Sequence, residues 1–329
     1  MDSRRSFVKK LGKGAVLSSF ALSSVSDYAS RLTFIRANSN KLIRIGIIGA
    51  ENSHSIEYGK IFNIEKKFPG VEVRYIWGET EEFARNAMKE GSIPELVKDP
   101  GEMMGKIDAL IVDHRHPRYH LPAAEPFVKA GIPTFIDKPF CYRVPEGKAF
   151  LTMAHKAGTP VTSYSMISQS SATNDIKEQV ASIGEISHII SCGPADLDSI
   201  YGGIFFYGIH IIQPLMTIFG GDIKKVRVTR NGKTTGASLV FGNGRLATLV
   251  FKTLSGGWET FIESKNGIVE LKSRVQEPDP GKNYADMVEM FRTGKEPLNE
   301  NDILGPIAVL EALEKSAVSD TWEEVMSIV

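Results

Sequence analysis

The chain has 329 residues, of which 42% are hydrophobic and 24% charged, and its formal net charge is zero. This length fits two domains with ample core, and the zero net charge gives no support to a nucleic-acid partner. Its two cysteines, Cys141 and Cys192, supply neither a disulfide framework nor a metal spacing, and we interpret them as unpaired thiols.

The N-terminus resembles a twin-arginine export signal. The adjacent pair Arg4-Arg5 is followed by Phe7 and Lys9, and a modest apolar run covers residues 14–25. That run is too short to cross a bilayer. We therefore expect residues 1–40 to be a signal and linker, the protein to be periplasmic or otherwise exported, and no stable membrane span to be present. An amphipathic cytosolic N-terminus is the alternative.

Strands alternate with helices through residues 41–164. The predicted strands are residues 41–50, 71–77, 109–112, 133–136 and 159–164, and the predicted helices are residues 53–62, 81–90, 122–130 and 145–157. This alternation predicts a Rossmann-like α/β domain with a doubly wound parallel sheet.

The pattern changes after residue 165. Strands are predicted at residues 186–192, 222–230, 237–241, 246–251, 258–264 and 267–271, and helices at residues 209–218, 284–293 and 301–316. The hairpin signal Gly242-Asn243-Gly244 joins two of these strands. Residues 165–329 are thus predicted to form an α+β domain with an open antiparallel sheet. The sequence leaves open whether the C-terminal helices pack back on the first domain.

Residues 107–140 should place two polar clusters at one edge of the first sheet. Residues 113–116 (Asp-His-Arg-His) follow the strand at 109–112, and Asp137-Lys138-Pro139 follows the strand at 133–136. The carboxyl ends of parallel strands open toward a ligand site, so we expect both clusters to lie there.

The first strand runs into a glycine turn that contains Gly46 and Gly49. A dinucleotide site needs such a turn, because pyrophosphate sits on the following helix N-terminus. However, Glu51 and His54 stand where the second and third glycines of G-x-G-x-x-G would be, so a nucleotide site and a plain turn are about equally supported. Glu79, after the second strand, is either the acid that holds the ribose hydroxyls or a solvated loop charge.

The sequence resembles the glucose–fructose oxidoreductase / inositol dehydrogenase (Gfo/Idh/MocA) family. The resemblance runs from RIGIIG at residues 44–49, through AGIPTFIDKP at residues 130–139, to YGGIFFYGIHIIQPLMTIFG at residues 201–220. Its most specific element is Asp137-Lys138-Pro139, which matches the family's E/D-K-P. The resemblance implies hydride transfer between NAD or NADP and a carbon of a small carbohydrate substrate. It also implies a homo-oligomer formed through the second-domain sheet.

The family's site residues carry over to matching positions. The resemblance places Lys138 between nicotinamide and substrate, with a Lys-Pro bond that is usually cis, and His210 on the second-domain helix as the catalytic histidine. We expect His210 to act as the base and Lys138 to hold the substrate oxygen, against the alternatives of a buried structural histidine and a surface ion pair. The predicted cofactor-binding residues are Gly46, Gly49, Asn52, Ser53, Glu79, Asp113, His114, His120, Asp137 and Lys138.

Two positions depart from the family pattern. Phe206 stands where many members have an aspartate four residues before the histidine, and Gln213 stands where another aspartate often follows it. His210 therefore needs another orienting group, for which Asp196, Asp198 and Tyr207 are candidates. Glu51 and Phe206 leave open whether cofactor binding and turnover are kept.

A metal site is not predicted. His54, Asp113, His114, His116 and His120 are the ligand types that metals use, but no spacing among them is diagnostic.

The combined interpretation is an exported NAD(P)-dependent oxidoreductase acting on a sugar, polyol or glycoside. Because the twin-arginine route carries folded proteins, the cofactor is expected to travel bound and to be recycled internally. Two alternatives remain: a redox-neutral, NAD-dependent glycosidase or lyase of the same superfamily, and a non-catalytic sugar- or nucleotide-binding protein with the same fold.

Overall fold

The structure is a computed structural model that describes residues 42–328. The twin-arginine pattern and the linker predicted for residues 1–40 lie outside the described residues. Within residues 42–328, no helix combines the length and the apolar character that a membrane crossing requires.

Six parallel strands form the first sheet, in the order β3-β2-β1-β4-β5-β6. Their bounds are β1 (Ile43–Ile48), β2 (Val71–Trp77), β3 (Glu95–Leu96), β4 (Ala109–Val112), β5 (Thr134–Ile136) and β6 (Val161–Thr162). All residues of β4 and β5 are buried, as expected for parallel strands covered on both faces. The strand order reverses beside β1, where β2 lies on one side and β4 on the other. The prediction of a Rossmann-like sheet is confirmed.

Four helices connect these strands. They are α1 (His54–Gly59), which continues as a π-helical turn (Lys60–Ile64), α2 (Glu81–Gly91), α3 (His120–Lys129) and α4 (Val144–Ala157). The Thr80 side chain caps α2 by accepting the N–H of Phe83, and Gly158 ends α4 with φ +67°.

Seven strands form the second sheet, in the order β12-β11-β7-β10-β9-β8-β13. Their bounds are β7 (Ile186–Pro194), β8 (Ile223–Asn231), β9 (Thr234–Phe241), β10 (Leu246–Lys252), β11 (Glu259–Ser264), β12 (Gly267–Leu271) and β13 (Glu323–Glu324). The pairs are antiparallel, as predicted, except that β7 and β10 run parallel. The chain passes through a helix and two strands between them, which supplies the crossover that a parallel pair needs.

Four further helices accompany this sheet: α5 (Ser171–Ile183), α6 (Ile204–Phe219), α7 (Lys282–Thr293) and α8 (Glu300–Ser319). Eleven of the sixteen residues of α6 are buried, because the helix is apolar on nearly every side. His210 and Gln213 are its buried polar residues, and burial obliges both to find hydrogen-bond partners.

The C-terminal part of the chain returns to the first sheet. Met287 and Met290 of α7 lie in the same hydrophobic cluster as Ile45 and Ile47 of β1. The N–H of Met287 also donates to the hydroxyl of Tyr164, at 3.0 Å. The helix α7 therefore completes the core beneath the first sheet, while the domain boundary predicted after residue 164 stays a prediction.

Candidate active site

The two polar clusters predicted after β4 and β5 do meet at the edge of the sheet. Asp113 and Asp137 are both fully buried, and the Nδ2 atom of Asn52 donates to both, at 2.9 Å to Asp113 Oδ1 and 3.3 Å to Asp137 Oδ2. Tyr58 donates its hydroxyl to Asp137 Oδ1 at 3.1 Å. One buried polar network thereby joins the turn after β1, the helix α1 and the two residues that follow β4 and β5.

The pKa values of Asp113 and Asp137 are shifted in opposite directions by their surroundings. Burial alone would raise the pKa of Asp137, but His54, whose Nδ1 lies 3.1 Å from Oδ1, and Lys138 hold that pKa well below its ordinary value. Burial and the charge of Asp137 raise the pKa of Asp113 well above its ordinary value. Among residues 42–328, Asp113 Oδ2 has no hydrogen-bond partner. The pair thus favours one negative charge, on Asp137, and one proton, on Asp113.

Lys138 extends from this network toward the second domain. Its side chain is only 6% exposed, and its Nζ lies 4.0 Å from Asp137 Oδ2. The same Nζ lies 5.3 Å from the ring centroid of Phe206 on α6. The Lys138–Pro139 bond is cis, as the family resemblance implies. Lys138 is thus held between a buried carboxylate and an aromatic ring.

His210 faces this position from α6. Its ring lies 5.9 Å from that of Tyr207 and 6.0 Å from that of Trp258. Phe206 and Tyr207 are also in ring contact, and with Trp258 they form what we term the aromatic cluster. Burial, and after it the positive charge of Lys138, lowers the pKa of His210 well below its ordinary value. His210 is therefore a neutral imidazole next to an ammonium group.

The orienting partner of His210 is Ser165, whose Oγ lies 2.7 Å from His210 Nδ1. The sequence-based candidates do not occupy that place: Asp198 pairs with Arg230, and Asp196 accepts the N–H of Asp198. Ser165 was not among the residues predicted from the sequence. The only signal was its position shortly after β6, at the edge where the other site residues were predicted.

The turn after β1 (residues 49–53, the β1 turn) is as tight as predicted. Gly49 has φ +112°, and a Cβ there would lie 2.6 Å from the carbonyl carbon of Asp113. Gly46 lies further back within β1, where a Cβ would meet Met103 Sδ at 2.7 Å, so it serves packing within the strand. Asn52 joins the carboxylate network, whereas Ser53 is exposed.

The amides of the β1 turn converge on the carboxylate of Glu79. The N–H groups of Ala50 and Glu51 donate to Glu79 Oε2 at 2.8 and 2.9 Å. His114 Nδ1 lies 2.7 Å from the other oxygen, Oε1. Burial would raise the pKa of Glu79, but the His114 hydrogen bond and the two amides lower it to about 2.

A second bridge links the β1 turn to the segment before α6. The Tyr201 hydroxyl donates to Glu51 Oε1 at 2.7 Å, and Arg115 Nη1 donates to the Tyr201 oxygen at 3.0 Å. The Glu51 carboxylate, which stands where a glycine was expected, is thus engaged by the second domain. Tyr201 and Arg115 were not predicted as site residues.

His120 lies beneath the site and is fully buried. Its Nδ1 lies 2.9 Å from the carbonyl oxygen of Pro139, and its Nε2 lies 2.7 Å from that of His114. It therefore ties the loop after β4 to the loop after β5.

One group of side chains has the composition of a metal site. Ligand-type atoms of His54, Asp113 and Asp137 lie within 4.8 Å of one another. The oxygens of Asp137 already accept from Tyr58, Asn52 and His54, so a cation would have to compete with three donors. The absence of a metal stays a prediction.

Comparison with known proteins identifies the first domain. Residues 43–165 match the GFO_IDH_MocA model, an oxidoreductase family with an NAD-binding Rossmann fold. Comparison with curated proteins gave no match.

Three similar solved structures share the fold of the whole described chain. Myo-inositol dehydrogenase from Lactobacillus casei, with NAD(H) and myo-inositol, has a TM-score of 0.72 at 12% identity, covering 88% of this chain and 98% of that one. Scyllo-inositol dehydrogenase from the same organism, with NAD(H) and scyllo-inositol, has a TM-score of 0.70 at 18% identity, covering 87% of this chain and 100% of that one. An oxidoreductase from Agrobacterium radiobacter, with NAD⁺, L-tartaric acid and magnesium, has a TM-score of 0.69 at 15% identity, covering 87% of this chain and 99% of that one. At these identities the likeness establishes the fold.

The residues of the β1 turn fit a dinucleotide. Gly49 leaves no room for a side chain, as the close approach of a phosphate turn requires. Two successive amides, of Ala50 and Glu51, already bind one anionic group, the carboxylate of Glu79. Asp113 Oδ2, which has no hydrogen-bond partner within residues 42–328, offers a further polar contact at the end of β4. The predictions of a nicotinamide cofactor and of an NAD-dependent oxidoreductase are confirmed at the level of the family match. Residues 43–165 thus match the NAD-binding Rossmann domain of the Gfo/Idh/MocA oxidoreductase family.

Proposed function

We propose that this protein oxidises or reduces a secondary alcohol carbon of a sugar, polyol or glycoside, with NAD or NADP as the hydride partner. One observation carries the proposal: Lys138, from the cofactor-binding edge, and His210, from α6, are both buried beside the aromatic cluster. A hydride-transfer site needs polar groups at the substrate oxygen, and these two residues supply them from opposite domains.

The aromatic cluster supports a polyol-type substrate. Tyr207 is 41% exposed and Trp258 is 45% exposed, so each offers an apolar ring face. Such faces suit the C–H groups of a sugar or cyclitol, while a few placed polar groups fix its hydroxyls. The inositol dehydrogenases among the similar structures are consistent with this substrate class.

The chain's own residues have separable tasks. The nicotinamide, when bound, accepts or returns the hydride. Gly49, the neighbouring turn amides and Glu79 would hold the cofactor, with Asp113 and His114 at its rim. Lys138, anchored by Asp137, donates to the substrate oxygen and stabilises negative charge that develops there. The aromatic cluster excludes water from the reacting carbon.

Two bridges across the cleft support a tightly held cofactor. Glu79 pairs with His114 over the β1 turn, and Tyr201 holds Glu51 beside it. A cofactor bound beneath these contacts would leave only after they open, which would favour slow release and internal recycling. The arginine pair at residues 4–5 supports export in the folded, loaded state.

The cofactor is tested first. Protein purified from its native compartment should absorb as reduced nicotinamide does, near the ultraviolet edge of the visible range, and should release nucleotide on denaturation. Loaded protein should then convert members of a panel of cyclitols, free sugars and glycosides. The absence of nucleotide, together with no binding of added NAD(H) or NADP(H), would overturn the proposal.

Export is tested separately. Deleting residues 1–40 should retain the protein in the cytoplasm, and so should replacing Arg4 and Arg5 by lysine. Unchanged export of both variants would refute the signal interpretation without affecting the enzymatic proposal.

A further inference from the structure

His210 lacks the aspartate partner that its family position usually has, and a serine hydroxyl takes that place. Phe206 occupies the aspartate position, and its ring lies beside Lys138. Ser165 Oγ instead lies 2.7 Å from His210 Nδ1, and both side chains are buried. A hydroxyl differs from a carboxylate because it can donate as well as accept.

The surroundings of Ser165 decide the direction of this hydrogen bond. The N–H of Ile167 donates to Ser165 Oγ at 3.3 Å. Across residues 42–328, the Ser165 hydroxyl makes one hydrogen bond to a group that can accept, His210 Nδ1. The hydroxyl proton is therefore donated to Nδ1, because no other arrangement satisfies it in this buried position.

The backbone of Ser165 is fixed independently of His210. Gln213 Oε1 accepts the N–H of Ser165 at 2.6 Å, and the Ser168 hydroxyl donates to the Ser165 carbonyl oxygen at 2.7 Å. Gln213, the second departure from the family pattern, thus holds the residue that replaces the missing acid. The serine hydroxyl is preorganised toward the imidazole.

We propose that Ser165 is a positioning residue that holds neutral His210 in its Nε2–H tautomer. A neutral imidazole that accepts at Nδ1 carries its proton on Nε2. Nε2 then has no free lone pair, so His210 donates a hydrogen bond to the substrate oxygen and does not act as the base predicted from sequence. This substrate role rests on the proposed function, whereas the tautomer does not.

The ammonium group of Lys138 supplies the proton when the alcohol is formed. In the reduction, hydride from reduced nicotinamide would form the new C–H bond as the π bond of the C=O group breaks. The substrate oxygen would take its proton from Nζ of Lys138, which is left as an amine. His210 Nε2–H remains bonded to that oxygen throughout and stabilises its developing charge.

The tautomer can be measured without substrate. Protein labelled with ¹⁵N-histidine is examined by NMR at about neutral pH, and the His210 signals are assigned by their loss in His210→Gln. The expected result is a proton fixed on Nε2 and an unprotonated Nδ1. A proton on Nδ1, or rapid exchange between the two tautomers, would overturn the proposal.

Variants of Ser165 test its role through His210. Ser165→Ala should release the fixed tautomer and lower kcat by roughly 10-fold to 100-fold, with a smaller change in KM. Ser165→Thr, which keeps the hydroxyl, should restore both the spectrum and the rate. Thr162→Val is the matched control, since Thr162 Oγ1 is a buried hydroxyl that lacks a partner within residues 42–328.

The outcomes separate this inference from the proposed function. If the Ser165→Ala variant keeps the wild-type His210 spectrum and the wild-type kcat, the positioning role is wrong. If that variant fails to fold, the wild-type spectrum still decides the tautomer. The expected spectrum without turnover of any alcohol would instead count against the proposed function alone.

Discussion

Glu79 and His114 meet across the carboxyl end of β1, with Oε1 of the glutamate 2.7 Å from Nδ1 of the histidine. Glu79 follows β2 and His114 follows β4, and these strands flank β1 in the sheet. The pair therefore lies over the β1 turn, where Glu79 also accepts two backbone amides. The pair thus ties the loops after β2 and β4 to the β1 turn, at the edge of the sheet where the cofactor site is proposed.

Glu79→Gln should destabilise the protein in a pH-dependent way. The pKa of Glu79 is lowered from 4.5 to about 2, so its charge contributes stability above about pH 4.5 that is lost as the pH falls through about 2. A difference of that size corresponds to about 3 kcal/mol. We expect the variant to lose roughly 1–3 kcal/mol at neutral pH, measured by urea unfolding, with the loss shrinking below pH 4.5.

Glu82→Gln on the exposed surface of α2 is the control, because it removes the same charge from a site without these partners. Equal losses in both variants, or a loss from Glu79→Gln that does not change with pH, would contradict the assignment.

Lys138→Met should lower turnover strongly while leaving the fold intact. Methionine fills similar space but cannot donate to the substrate oxygen, so we expect a fall in kcat of roughly 100-fold to 1000-fold. Stopped reactions on the panel of alcohols measure it, and circular dichroism checks the fold. Lys156→Met on exposed α4 should leave the rate unchanged. Retained activity in Lys138→Met would show that the role transferred from the family is wrong.

Gly49→Ala should be far more damaging than alanine at an open glycine. At Gly49 the φ angle is +112° and the added Cβ would lie 2.6 Å from the Asp113 backbone, so strain and a clash combine. We expect a loss of about 3 kcal/mol or more. Gly105→Ala is the matched comparison: its φ is +74° with nothing within 4 Å, and it should cost about 1 kcal/mol. Similar melting temperatures for the two variants would refute the close approach of β1 and β4.

Asp113→Asn should raise the stability of the protein at neutral pH. Because the pKa of Asp113 is raised by burial and by Asp137, the folded state binds more protons than the unfolded state above about pH 3.9, and stability falls as pH rises. A neutral amide removes that cost. The melting temperatures of variant and wild type should therefore differ at neutral pH and converge near about pH 4.

Asp108→Asn provides the contrast. Asp108 is paired with Arg44 at 2.8 Å and is partly exposed, so its loss should lower stability by up to about 1 kcal/mol. Destabilisation by Asp113→Asn at neutral pH, equal to that of Asp108→Asn, would rule out the buried, protonated carboxyl.

The sequence by itself determined the parallel sheet and the edge where its site lies. Short apolar runs bounded by glycine and proline predict buried strands, and the carboxyl ends of parallel strands must share one edge. Asp113 and Asp137 were therefore expected together, and they are joined through Asn52. The tight turn at Gly49 was also predicted, because the first strand runs directly into glycine.

Only the tertiary structure decided how the remaining groups are paired. Ser165 meets His210 across 45 positions of sequence, and Tyr201 meets Glu51 across 150. The same holds for the parallel pairing of β7 with β10 and for the packing of α7 against the core of the first sheet. Both bring together segments that are far apart in the sequence. Local periodicity specifies which face of an element is buried, but not which distant element covers it. The partner of a buried polar group depends on that packing, and so a serine, which no motif marks, holds the histidine that the motif identifies.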